Sequence, residues 1–164
     1  MGSGKSSVGK RLAAMLHCSF EDLDSYIVRR EGRSVPEIFA VSGETAFREI
    51  ETAALRELLA TSDRGVLSLG GGTPTRPESI QALKDAGAFC IYLRTDASSI
   101  RLRLGREAIN SRPLLRNGNM DELLAERLPL YESVADMVMD TDGLSVSEVA
   151  QVLAAEITAR ELFQ

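Results

Sequence analysis

The chain has 164 residues, 44% of them hydrophobic and 26% charged, and a formal net charge of −5. That length and apolar content suit a single domain with its own core and exclude a wholly disordered chain. The acidic balance argues against a general nucleic-acid binder, and no apolar run is long enough to span a bilayer.

Helical periodicity begins at once, with Val8, Leu12, Met15 and Leu16 on one face. "SFEDLD" reads as a short strand or strand end, and "SYIVRREG" as a helix stopped by Gly32. "SVPEIFAVSG" reads as a short helix, with Ser34 as its cap, Pro36 in its first turn and Gly43 after its end. The strongest helical pattern is "ETAFREIETAALRELLA", with an apolar stripe of Phe47, Ile50, Ala54, Leu55 and Leu58. "GVLSLGGG" is a strand running into a glycine turn, and "RPESIQALKDAG" a helix ending at Gly87. "AFCIYLRT" is a continuous apolar run, as for a strand buried on both faces. "DASSIRLRL" reads as helix, whereas residues 105–119 are polar and basic without a sustained period. Asp121 to Ser133 reads as helix, "DMVMDT" as a last strand, and Val146 to Leu162 as a last helix. Strands alternating with helices predict an α/β fold with a parallel sheet and right-handed crossovers.

The chemistry starts in "MGSGKSSVGK". Gly4-Lys5-Ser6 matches the end of G-x-x-x-x-G-K-[ST] and opens a helix. Backbone N–H groups in such a loop hold phosphate oxygens at a helix N-terminus. The lysine adds a point charge on the outer phosphates, and the next hydroxyl ligates Mg²⁺. The motif's first glycine would fall two positions before Met1. The expectation is therefore a preceding apolar, β-branched strand of roughly six to ten residues, central in the sheet. The plain alternative is a glycine-serine leader before an ordinary helix.

Asp22 and Asp24 in "EDLD" would share one side of a strand and one crevice at its carboxyl end. The alternative is that one of them caps the following helix. Arg48 and Glu51 are three apart on a helix face. They either pair simply, or Glu51 holds the Arg48 guanidinium toward a carboxylate ligand. Gly70, Gly71 and Gly72 permit close backbone approach by a ligand, more than a plain tight turn requires. Arg106, Arg112 and Arg116 lie in the segment 105–119, which reads as a lid closing on phosphates or as a solvated basic loop. His17 is the sole histidine and reads as structural, which leaves no histidine for acid–base work. Cys18 and Cys90 sit in apolar settings without metal-ligand neighbours, as reduced thiols of a cytoplasmic protein do. Three lysines stand against sixteen arginines, so an anionic substrate would meet guanidinium forks.

In order, the motifs are GSGKS, DLD, GE-x-x-FR-x-x-E, GGG, RPLL and ER-x-x-LY. Each is weak alone; together, over nearly the whole chain, they resemble the shikimate kinases of the P-loop, nucleoside-monophosphate-kinase-like group. The resemblance implies a three-layer fold with helices on both faces of a central parallel sheet, normally five strands in the order 2-3-1-4-5. It implies one domain over 1–164, with the acceptor region at about 23–51 and the lid at about 105–119. It implies transfer of the ATP γ-phosphoryl to the 3-hydroxyl of shikimate, with Mg²⁺. The ATP-binding residues would be Gly2, Ser3, Gly4, Lys5, Ser6, Ser7, Arg106 and Arg112, and the metal residues Ser6 and Asp22. Asp24 would bind the acceptor hydroxyl and serve as base. Arg48 and Arg127 would bind the shikimate carboxylate, with Phe39 and Phe47 as an apolar wall and Gly70, Gly71 and Gly72 facing the substrate. Lys5, Asp24 and Arg112 would be the catalytic set, in a cytoplasmic monomer that binds neither nucleic acid nor membrane. The alternatives are another small-molecule kinase of this fold, such as a gluconate kinase, and a nucleotide-binding domain without catalysis.

Overall fold

The computed structural model describes residues 3–61, 64–96 and 120–162. Strands and helices alternate as α1 (Lys5–Met15), β1 (Ser19–Asp22), α2 (Leu23–Glu31), α3 (Val35–Thr61) and β2 (Gly65–Ser68). A 3₁₀ turn (Thr73–Thr75), α4 (Pro77–Asp85), β3 (Ile91–Arg94), α5 (Met120–Val134), β4 (Met137–Asp140) and α6 (Val146–Ala159) follow. The helix expected at "DASSIRLRL", the loop 105–119 with Arg106 and Arg112, and Gly2 lie outside the described residues.

Local signals account for most boundaries. Asp22 caps α2 by accepting the Ser25 amide at 3.1 Å, and Gly32 ends it in the left-handed region at φ 66°. Ser34 and Glu37 form a reciprocal cap at the start of α3. Gly43, at φ 78° and ψ 176°, breaks α3 where the sequence predicts a helix end, but the two segments run on without an intervening loop. Ser145 and Glu148 form a capping box on α6, which stops at Ala159, short of the predicted Leu162. His17 lies just past α1, exposed, with φ 51°.

The strands pair in parallel as β1–β2 and β3–β4. These are the outer pairs of the implied 2-3-1-4-5 order. Side chains alternate across β2. Val66 and its register partner Phe20 lie toward α1, where Gly9 permits close approach, since a Cβ there would meet Phe20 Cε2 at 2.6 Å. Leu67 and Leu69 instead join the cluster of Leu23, Ile27, Ile38, Phe47, Leu55 and Leu83, built by α2, α3 and α4. A second cluster, Val8, Leu12, Leu93, Val149, Leu153 and Ile157, joins α1 and α6 to β3.

Between the two clusters is a cavity of about 450 Å³, lined on one side by β2 and on the other by β3. Among the described residues β2 pairs only with β1, and β3 only with β4. The expected full burial of "AFCIYLRT" is corrected accordingly. Its strand is limited to Ile91–Arg94, and within it only Leu93 is buried, because one edge faces the cavity. Cys18 and Cys90 are free and half-buried, and burial pushes both thiols up.

Candidate active site

The phosphate loop is shaped by Gly4. It caps α1 at φ 82°, a conformation that side chains other than glycine's rarely adopt, and its carbonyl accepts the first helical bond from Val8 at 2.9 Å. Ser3 is buried, whereas Ser6 and Ser7 are exposed at the positive end of the helix dipole. Lys5 is half-buried at the same helix start. Ser6 Oγ donates to Asp22 Oδ2 at 2.6 Å and lies 3.4 Å from Ser68 Oγ. Burial alone would raise the Asp22 carboxyl, but hydrogen bonds from Ser6, the Ser25 amide and Ser68 hold it below the ordinary carboxylate value. Asp22 thus caps α2 with one oxygen and meets the loop hydroxyl with the other.

That pair is a hard-oxygen donor set. Among the described residues no three His, Cys, Asp or Glu side chains gather as a metal cage. One hydroxyl and one carboxylate beside a phosphate loop fit Mg²⁺, which keeps waters and phosphate oxygens as its other ligands.

Asp24 corrects the strand reading. β1 ends at Asp22, and Asp24 stands in the first turn of α2, so helical rather than strand geometry aims it. Its carboxylate is exposed and faces Gly70, where a Cβ would come within 3.2 Å of Asp24 Oδ1 and 2.9 Å of Glu51 Oε1. The two aspartates thus look onto neighbouring ends of the site, Asp22 toward the phosphate loop and Asp24 toward the glycine turn.

Arg48 and Glu51 are far more than a surface pair. Both are buried, Glu51 at 1% exposure, and Arg48 Nη1 donates to Glu51 Oε2 at 2.7 Å. Thr73, fully buried at the start of the 3₁₀ turn, donates to the other Glu51 oxygen at 2.9 Å. Arg48 Nη2 also reaches Glu44 at 3.3 Å, and the guanidinium sits 5.3 Å from the Phe47 ring centroid. Phe47 in turn packs on Phe39, with ring centroids 4.6 Å apart. Gly72 is required by this arrangement, since a Cβ there would run into the Arg48 guanidinium. The glycine turn therefore gives room to the arginine.

Arg127 is buried on α5, one turn before Tyr131, whose hydroxyl donates to the Gly71 carbonyl at 2.5 Å. Sequence reasoning identified Glu51 but missed Thr73, Glu44 and the tie from Tyr131 to Gly71. A hydroxyl residue directly after three glycines was the available signal for Thr73.

Removing the Glu51 carboxylate would leave a buried, partly uncompensated guanidinium. Glu51→Ala is expected to destabilise the fold by about 3–5 kcal/mol in denaturant titration. A loss below about 1 kcal/mol would show that water reaches Arg48 freely.

A family model described as shikimate kinase matches residues 1–158. A shikimate kinase of Thioalkalivibrio sulfidiphilus is 40% identical over 158 residues, covering 94% of this chain and 81% of that protein. The structure of a shikimate kinase from Acinetobacter baumannii in complex with shikimate superposes with a TM-score of 0.88 at 35% identity, covering 99% of this chain and 90% of that one. A shikimate kinase from Aquifex aeolicus gives 0.80 at 28% identity, with 99% and 94% covered. With a hydroxyl-bearing phosphate loop at one end and a buried arginine beside an exposed carboxylate at the other, the chain belongs to the shikimate kinase family.

Proposed function

We propose that this chain transfers the γ-phosphoryl of ATP to the 3-hydroxyl of shikimate, giving shikimate 3-phosphate and ADP. The observation that carries the reading is the juxtaposition at the glycine turn: Asp24 exposed against Gly70, and Arg48 buried against Gly72 and held by Glu51. An acceptor that carries both a ring hydroxyl and a carboxylate uses both groups.

Lys5 and the loop amides, with Gly2, Ser3, Gly4, Ser6 and Ser7, would hold the ATP phosphates. Ser6 and Asp22 would hold Mg²⁺, which neutralises phosphate charge when bound. Arg48 and Arg127 would bind the carboxylate, and Phe39 and Phe47 would cover the apolar ring face. Asp24 would orient the acceptor hydroxyl and take its proton. Because phosphoryl transfer has a loose transition state, that proton need leave only late. Arg112 and Arg106, in the segment 105–119, would close on the phosphates and adenine, which excludes water once the acceptor is in place. We place the protein in the cytoplasm as a monomer, a setting that suits two free thiols. Among the described residues no helix is long and apolar enough to cross a membrane.

A coupled assay of ADP release tests the reading. ATP consumption is expected with shikimate and not with gluconate. Consumption with gluconate alone would make the chain a different small-molecule kinase. ATP binding by calorimetry without turnover on either acceptor would make it a non-catalytic nucleotide-binding domain.

A further inference from the structure

Three glycines in a row make a turn with little stiffness of its own; the Gly70 and Gly72 carbonyls accept from Thr73 and Thr75 of the following 3₁₀ turn, and Gly72 abuts the buried Arg48 guanidinium. The Gly71 carbonyl accepts from the Tyr131 hydroxyl at 2.5 Å. Tyr131 lies one helical turn beyond Arg127 on α5, so the two side chains share a face. Its ring packs on Tyr92 of β3, with centroids 5.4 Å apart. A phenol has one proton to donate, and Tyr131 gives it to Gly71, so the oxygen's lone pairs are left for a donor. Arg127, buried one turn earlier on the same helix face, is the cation beside them. Burial raises the phenol, and the positive charges of Arg127 and Arg48 draw it part of the way back.

We infer that Tyr131 is a positioning residue for acceptor binding: its hydroxyl fixes the Gly71 carbonyl and orients the Arg127 guanidinium together. One phenol thereby links the turn that abuts Arg48 to the helix that carries Arg127. The ring supports the fold through Tyr92, while the hydroxyl serves the site. This inference rests on the proposed role of Arg127 as a carboxylate ligand.

Tyr131→Phe separates the two parts, because it keeps the ring and removes only the hydroxyl. The KM for shikimate is expected to rise about tenfold, the loss of one hydrogen bond to a charged group, with kcat and the KM for ATP within about threefold of the parent. In an Arg127→Ala background, adding Tyr131→Phe should raise the KM for shikimate by less than it does in the parent, since one of the two groups acted upon is gone; an equal rise would overturn the link to Arg127. An unchanged KM in Tyr131→Phe, with Arg127→Ala impaired, overturns the inference and leaves the role of Arg127 standing. An unchanged KM in Arg127→Ala overturns both. Equal losses toward ATP and shikimate, or a loss tracked by a large fall in melting temperature, would make the hydroxyl a structural group and also overturn it.

Discussion

Asp24→Asn is expected to lower turnover about 10²–10⁴-fold, the range for loss of a general base. The substitution keeps the shape and the helix position and removes only the charge. Asp24 stands in the first turn of α2, where the helix dipole favours a negative group, a contribution of about 0.3–1 kcal/mol that asparagine forgoes. ATP affinity should change little, because the loop-facing carboxylate is Asp22, not Asp24. Turnover within about twofold of the parent would remove Asp24 from the chemistry and leave positioning by Arg48 and Arg127 to account for the rate.

The assignment of those two aspartates illustrates what was legible in the sequence. Their spacing placed both at the site, because any carboxyl-terminal strand end in a parallel sheet opens onto the same crevice. It did not reveal that the chain turns helical between them. The helix start depends on Asp22 accepting the Ser25 amide, a choice between two oxygens that no spacing encodes. Glycine was legible wherever it ended a helix, as at Gly32 and Gly43. Its purpose at Gly72 was not, because the reason is a guanidinium delivered from α3, far away in sequence. Arg48 and Glu51 could be paired by eye, but their burial could not. That burial follows from Thr73 and the glycine turn closing over them.

A variant carrying an apolar, β-branched strand of about six to ten residues ahead of the phosphate loop is expected to be the more stable protein and the better ATP binder. The cavity between β2 and β3 is the reason. Each of these strands pairs on one side only among the described residues, and both run in parallel sheets, so an added parallel strand would meet a hydrogen-bonding edge on each side. The walls are apolar, with Val8, Leu12, Val66, Leu93, Leu153 and Ile157 drawn from α1, β2, β3 and α6. Four inward side chains would contribute about 1.5–3 kcal/mol each, and each new backbone bond about 1 kcal/mol. Ordering the added residues opposes this at about 1–2 kcal/mol per residue, so stabilisation depends on both edges pairing and the inward side chains being buried together. Buried Ser3 lines the same cavity, so the strand's carboxyl end would run straight into the loop and hold Gly4 and Lys5 in place for phosphate. Melting should shift upward as one cooperative transition, and amide exchange should slow across Val66–Ser68 and Ile91–Leu93. A proline in the middle of the added strand should weaken both effects, since it removes a ladder donor and is poorly tolerated in a strand paired on both sides. If the proline version stabilises equally, or if exchange at β2 and β3 does not change, the cavity is not a strand site and the two sheet halves are complete as they stand.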